Sequence, residues 1–255
     1  MEYVVIDLET VPKTETASTW VPKLVDGKEE FPPLHVHKIC CIGYCILRDN
    51  PTESKPMVEY NSLFDYSFDN PKINNEEQII QQYYDMVDQM DRFTLVTWNG
   101  RTFDLPVLIH RMYSYGMDLD WYYRNKEIAG RYSKQHIDVM DVFCNYGTFG
   151  HGRAHLDSIA KLSGLPGKGD VKGDNVKEMH EAGRYEEIQT YCITDVIQTA
   201  FIFLRFAALS GHLGLDFQLC IKMMNSLLDK CHADPRAPIN NLYHKSDLNK
   251  LLMRD

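Results

Sequence analysis

None of the seven cysteines (Cys40, Cys41, Cys45, Cys144, Cys192, Cys220, Cys231) forms a Cys-x-x-Cys pair. That excludes the usual zinc-ribbon and thioredoxin-like signatures. Their number is odd and most lie in apolar runs, so buried free thiols in a reducing cytosol are expected. Basic residues are also short: 27 Lys and Arg stand against 36 Asp and Glu, a formal net charge of −9. A protein that coats nucleic acid by charge alone would be basic. A local grip on a short piece of nucleic acid through bound metal remains open, and two divalent cations would still leave the chain acidic. No apolar run is expected to reach the ~18 residues of a membrane span. The N-terminus enters a strand without a basic region or a cleavable apolar segment, so a cytoplasmic protein with no membrane contact is expected. There is no internal repeat, low-complexity stretch or clear linker in the 255 residues, which suits one large α/β domain.

What the chain does have is an apolar strand, Tyr3-Val-Val-Ile-Asp7-Leu-Glu9-Thr10, that ends in two carboxylates. Alternate side chains of a strand point to opposite faces, so Asp7 and Glu9 share a face and Leu8 takes the other. Two acids held that close repel unless a cation lies between them, and hard divalent ions prefer carboxylate oxygen. A strand ending at a solvated surface would look the same, so the remaining sequence must decide.

From Pro12 to Pro33 the chain is polar and punctuated by proline, the pattern of a long loop, with Trp20 as a packing residue. His37–Leu47 and Met57–Leu63 read as two further strands, giving an antiparallel meander. Glu76, Glu77, Ile79, Ile80, Tyr83, Tyr84, Val87 and Met90 recur at helical spacing. Thr94–Trp98 and Gln135–Val139 predict the last two strands. Helices are predicted over Leu105–Tyr115, from Asp141, over Leu156–Leu162, Asn175–Ala182, Tyr185–Leu209 and Leu215–Asp229. Strands alternating with helices, and helices gathering at the end, predict a mixed sheet covered on both faces.

Three patterns carry the chemistry. Asp-x-Glu occurs at Asp7 and Glu9, and Asn-x-x-x-Phe-Asp at Asn99, Phe103 and Asp104, just after a strand. Tyr-x-x-x-Asp occurs at Tyr191 and Asp195, inside the longest helical stretch, where i and i+4 share a face. In this order the patterns resemble the three exonuclease motifs of the proofreading domain of family B DNA polymerases. That domain belongs to the DnaQ-like, or DEDD, 3′–5′ exonucleases, and the tyrosine marks the DEDDy branch. Leu156–Leu204, with its Gly-Leu-Pro-Gly-Lys loop and Tyr-Cys-Ile-Thr-Asp-Val run, looks like stand-alone relatives of that domain.

The resemblance implies a ribonuclease-H-like fold, a five-stranded mixed sheet with the site on its central first strand. It implies an exonuclease domain over residues 1–210; residues 211–255 read as a helical extension packed on the same domain, a surface that could dock a protein partner. It also implies hydrolysis at a free 3′ end of single-stranded nucleic acid, DNA preferred, with two Mg²⁺ or Mn²⁺ ions. Such ions, roughly 3.5–4 Å apart, activate water and cover the leaving oxygen. Asp7 would bridge them, Glu9 and Asp195 would complete the water-activating position, and Asp104 would hold the second ion. Tyr191 would orient the attacking water, since a free tyrosine pKa near ~10 leaves it protonated at neutral pH.

Leu8 and Thr10 fall where family members meet the terminal nucleotide. Asn99 and Phe103 come with the second motif and support either the terminal base or the loop, packing being an equal reading of Phe103. Lys168 and Arg101 are phosphate candidates. His136, Asp138 and Asp141 invite a metal reading, against which stands a structural, hydrogen-bonded histidine. Asp7-Leu-Glu-Thr also resembles the Asp-x-Asp-x-Thr of haloacid-dehalogenase-like phosphatases, but Glu9 is a methylene too long and Asn99–Asp104 would go unused. An exoribonuclease, or a binding module that retains the fold, are the remaining alternatives.

Overall fold

The computed structural model describes residues 1–12, 23–25, 28–64, 76–125, 127–148, 154–165, 167, 175–211, 213–234 and 237. Its centre is β1 (Glu2–Pro12), an 11-residue strand. β4 (His37–Arg48) runs antiparallel on one side of it, followed by β5 (Val58–Phe64), also antiparallel. On the other side β6 (Phe93–Thr97) and then β7 (His136–Asp138) run parallel to it. The sheet order is thus β5-β4-β1-β6-β7, a mixed five-stranded sheet with the first strand in the middle. The proline-punctuated segment read as loop also contains a ribbon of two-residue strands, β2 (Leu24–Val25) and β3 (Lys28–Glu29).

Strand alternation decides which helices cover which face. Val4, Ile6, Leu8, Ile42, Ile46 and Leu95 pack with α1 (Glu76–Asp88) and α2 (Asp104–Ser114). Tyr3, Val5, Cys45, Leu47 and Val96 pack on the other face. There they meet α4 (Leu156–Leu162), α6 (Tyr185–Ser210) and α7 (Phe217–Ala233). The short α3 (Val139–Phe143) leaves the end of β7, and α5 (Val176–Glu181) precedes α6. Asp7 and Glu9 have the parity of Tyr3 and Val5, so they face α6.

α6 departs from one expectation. It is long and apolar enough to cross a membrane, yet 83 % of its most apolar stretch is buried inside the fold. Sheet, α4 and α7 surround it, which is why it carries so little polarity: a helix apolar all round is a core helix. α7 begins with Asp216 accepting from the Leu219 N–H at 3.0 Å. It buries Cys220, Met223, Met224, Leu227, Leu228 and Cys231 in the same cluster as α6.

One buried ion pair ties β4, α1 and α2 together. The Glu76 carboxylate, 1 % exposed, accepts from the Ile39 N–H (2.7 Å), Arg111 Nε (2.7 Å), Arg111 Nη2 (2.6 Å) and the Tyr115 hydroxyl (2.7 Å). Each oxygen is satisfied, the condition under which a buried charge is tolerated.

Candidate active site

β1 carries Asp7 and Glu9 towards α6. Their carboxylate oxygens and the Cys192 Sγ of α6 all lie within 4.8 Å of one another. The Cys192 Sγ is 3.5 Å from the Asp7 carbonyl oxygen and 4.0 Å from Asp7 Oδ2. Burial first, then Cys41 and the charges of Asp7 and Glu9, push this thiol well above its ordinary pKa. It therefore stays protonated and turns a weak S–H donor, not a thiolate, towards Asp7. Glu9 is 7 % exposed. Directly after it the pairing with β4 slips: Glu9 opposes Cys41, but Thr10 opposes Ile39. Cys40 is the extra residue of this bulge, and its Sγ donates to the Glu9 carbonyl at 3.3 Å. Bulges re-aim side chains and are common beside active sites.

Opposite Asp7 in the β1–β4 register stands Gly43. A Cβ there would lie 2.8 Å from Cys192 Sγ and Val196 Cγ2, and 3.2 Å from the Cys192 carbonyl oxygen. Only a residue without a side chain lets α6 approach the sheet this closely behind the carboxylates.

Asp104 comes from the other flank. β6 pairs with β1 only as far as Val5. Beyond that point the Leu8 N–H donates to Asp104 Oδ1 at 2.9 Å. Asp104, 4 % exposed, opens α2, with Phe103 at the cap position. The turn before it needs unusual backbone. Asn99 adopts a left-handed conformation (φ 63°), which asparagine tolerates. A Cβ on Gly100 would sit 2.5 Å from the Thr97 side chain.

α6 supplies the last pair. Tyr191 precedes Cys192 and is 5 % exposed, packed with Val11, Cys40, Cys41 and Ile188. Asp195, 2 % exposed, lies one helical turn beyond Tyr191 and Cys192, and Cys192 is the α6 residue that meets Asp7. Asp7 and Glu9 of β1 thus stand beside Cys192 of α6, and Asp104 of α2 reaches the β1 backbone at Leu8.

Residues 29–242 match the family described as predicted 3′–5′ exonucleases related to the exonuclease domain of PolB. The chain belongs to that family. Among solved structures it is similar to the family B DNA polymerase of the hyperthermophilic archaeon Pyrobaculum calidifontis, with a TM-score of 0.50 at 15% identity. The match covers 90% of this chain and 29% of that one, so the chain spans less than a third of the polymerase. At that identity the likeness is one of fold, the ribonuclease-H-like exonuclease fold. No curated protein sequence matches.

The other motif residues of this family member have local roles. The Leu8 side chain is buried in the α1–α2 core, and its backbone N–H is what reaches Asp104. Thr10 Oγ1 lies 2.8 Å from His37 Nδ1. The Phe103 ring makes an edge contact with His37, centroids 5.1 Å apart. Asn99 Oδ1 accepts from the Thr102 hydroxyl (2.6 Å), and its N–H donates to Asp138 Oδ1 (2.9 Å). Lys168 and Trp20 lie outside the described residues.

Arg101 is committed to backbone: its guanidinium donates to the carbonyls of Gly130 (2.7 Å) and His136 (2.6 Å). His136 Nε2 lies 2.9 Å from Thr97 Oγ1, and burial holds its pKa well below the usual value. Asp138 accepts the N–H groups of Asn99, Arg101 (3.0 Å) and Asp141 (3.3 Å). Burial raises its pKa, and those donors work against the rise. The His136–Asp138–Asp141 group is thus scaffolding for the Asn99–Asp104 turn.

Cys192 and Gly43 are not among the defining residues of the three motifs. Both left a signal: Cys192 is three residues before Asp195 on one helix face, and Gly43 interrupts an apolar strand, which marks a close approach of backbone.

The donor set fits a hard divalent cation. The Asp7 and Glu9 oxygens are already within reach of a common ion. Asp104 and Asp195 add two buried carboxylates, and buried charges are retained when paired or when they coordinate metal.

Proposed function

We propose that the chain is a divalent-metal-dependent 3′–5′ exonuclease that removes nucleotides from single-stranded nucleic acid, DNA being the preferred substrate. The observation that carries this reading is the pair of β1 carboxylates, Asp7 and Glu9, beside α6, with Asp104 bonded to the same strand at Leu8, in a chain of this exonuclease family. Asp7, Glu9, Asp104 and Asp195 would hold two Mg²⁺ or Mn²⁺ ions. When bound, such ions supply a water nucleophile near neutral pH and cover the charge on the leaving oxygen.

The chain's own residues do the positioning. The Leu8 N–H fixes Asp104, and the Cys192 S–H and the close seat of α6 fix Asp7 relative to Asp195. Tyr191, one turn before Asp195, orients the attacking water through its hydroxyl and does not act as a strong base. Preference for DNA is supported by the polymerase-related family and fold.

The test is a 3′-shortening assay on matched, 5′-labelled DNA and RNA single strands with Mg²⁺ or Mn²⁺, and with chelator. We expect stepwise loss from the 3′ end, faster on DNA, and none with chelator. Shortening of RNA alone would make the chain an exoribonuclease. No shortening with any divalent metal would leave a binding module. Within the site, removing one electrostatic stabiliser commonly costs roughly 10²–10³ in rate. Asp7→Asn should lose at least that and Tyr191→Phe clearly less. Equal losses would refute the division of roles.

A further inference from the structure

Phe31 is 65% exposed, a large apolar ring turned towards solvent. It is not a stray loop residue. Its ring centroid lies 5.2 Å from that of His37 and 5.8 Å from that of Phe103, and His37 and Phe103 meet at 89°. The support beneath it is rigid. His37 is buried, and both of its ring nitrogens are engaged: Nε2 lies 3.0 Å from the Pro32 carbonyl and Nδ1 is 2.8 Å from Thr10 Oγ1. A carbonyl only accepts, so in the neutral ring Nε2 carries the proton and Nδ1 accepts from the Thr10 hydroxyl. Phe31 therefore rests on a fixed, uncharged base and shows one face to water.

In sequence that base flanks the carboxylates. Thr10 follows Glu9 in β1, and Phe103 immediately precedes Asp104. A grip that does not rely on charge suits this chain, which is acidic and whose Arg101 is bonded to carbonyls. Aromatic stacking is the charge-independent grip on single strands, and it tolerates any base.

We propose that Phe31, which lies outside all three sequence motifs, is a base-stacking residue: a nucleobase at or next to the 3′ end packs on its exposed face, with His37 and Phe103 as the backing. The ligand class is a single-stranded oligonucleotide, and the assignment rests on the exonuclease reading for the placement of the 3′ end.

The test compares wild type, Phe31→Ala, Phe31→Leu and Phe31→Tyr. Binding of a labelled single strand is measured in Ca²⁺, and KM and kcat in Mg²⁺. Loss of one stacking ring should weaken binding and raise KM roughly 5- to 100-fold, with kcat within about twofold. Phe31→Tyr should stay near wild type and Phe31→Leu should remain impaired. A strand with abasic 3′-terminal positions should bind wild type and Phe31→Ala equally. Full binding by Phe31→Ala overturns the proposal, as does full rescue by leucine or an equal Phe31→Ala effect on the abasic strand. A fall in Mn²⁺ affinity or melting temperature that accounts for the loss also overturns it, since that is a structural role. The two readings fail separately. Phe31-dependent binding without strand shortening would sink the exonuclease and keep the stacking site, and shortening that ignores Phe31 would do the reverse.

Discussion

Replacing Gly43 with alanine tests whether the spacing between β4 and α6 sets the geometry of the carboxylates. The added Cβ would lie 2.8 Å from both Cys192 Sγ and Val196 Cγ2 and 3.2 Å from the Cys192 carbonyl oxygen. Comfortable heavy-atom separations are about 3.5–4.0 Å. The helix or its side chains must therefore give by roughly 0.5–1 Å, because the carbonyl cannot rotate away as a side chain can. Overpacking of this kind costs typically 1–3 kcal/mol, or about 3–10 °C in Tm for a chain of this size. The larger effect falls on the site. α6 carries Tyr191 and Asp195, and a misplacement of about 1 Å can cost ~10² in rate.

We expect Gly43→Ala to remain folded, to bind Mn²⁺ more weakly and to lose about 10²-fold in strand shortening. Adding Cys192→Ala and Val196→Ala removes two of the three clashing atoms and should return part of both losses. The assay is thermal unfolding beside metal titration and single-turnover shortening. Wild-type rate and Tm in Gly43→Ala would refute the reasoning outright. So would a rate loss that the relieving substitutions leave untouched, because the defect would then not pass through α6.

Three further outcomes are expected. Glu76→Ala leaves Arg111 buried without its partner, and breaking a buried pair from one side costs about 3–5 kcal/mol; urea unfolding checks this, and a loss under about 1 kcal/mol would contradict it. His136 is held below its ordinary 6.5 by burial, so the unfolded chain takes up the proton first. Its contribution to stability is full above pH ~6.5 and falls as pH drops below that value, by up to about 1.4 kcal/mol per pH unit. His37, lowered by burial too, acts in the same direction. His136→Gln should flatten the decline measured by denaturation between pH ~6.5 and ~5, and an unchanged slope would show that another group carries it. Asp138→Ala removes the acceptor of three backbone N–H groups. It should destabilise by roughly 1–3 kcal/mol and lower activity through the Asn99–Asp104 turn, read as Tm and shortening rate together.

Much of the fold was legible because its elements are periodic and of ordinary length. The strand ending in Asp7 and Glu9, the helix from Glu76 and the long helix from Tyr185 all fall where hydrophobic spacing predicts them. The β2–β3 ribbon was not legible, since two-residue strands have no period. α6 was legible as a helix but not its surroundings: a helix buried on every side and one bathed in lipid have the same composition, and only the surrounding sheet and helices tell them apart. The ordered motifs pointed to the carboxylates. What holds them is long-range, such as Thr10 on His37 or Leu8 on Asp104, 96 residues away, and no local pattern encodes a contact of that span.

Those contacts explain why the residues around the carboxylates are so constrained. Asp7 and Glu9 ride on a strand already fixed by its pairing with β4, and the slip after Glu9 ends that register where the site ends. Asp104, the first residue of α2, is tied to that strand's backbone through the Leu8 N–H. Asp195 rides on α6, and how closely α6 lies over the sheet is set at Gly43. The geometry of the site should accordingly be most sensitive at α6, and substitutions there that leave every carboxylate in place should still uncouple metal binding from folding.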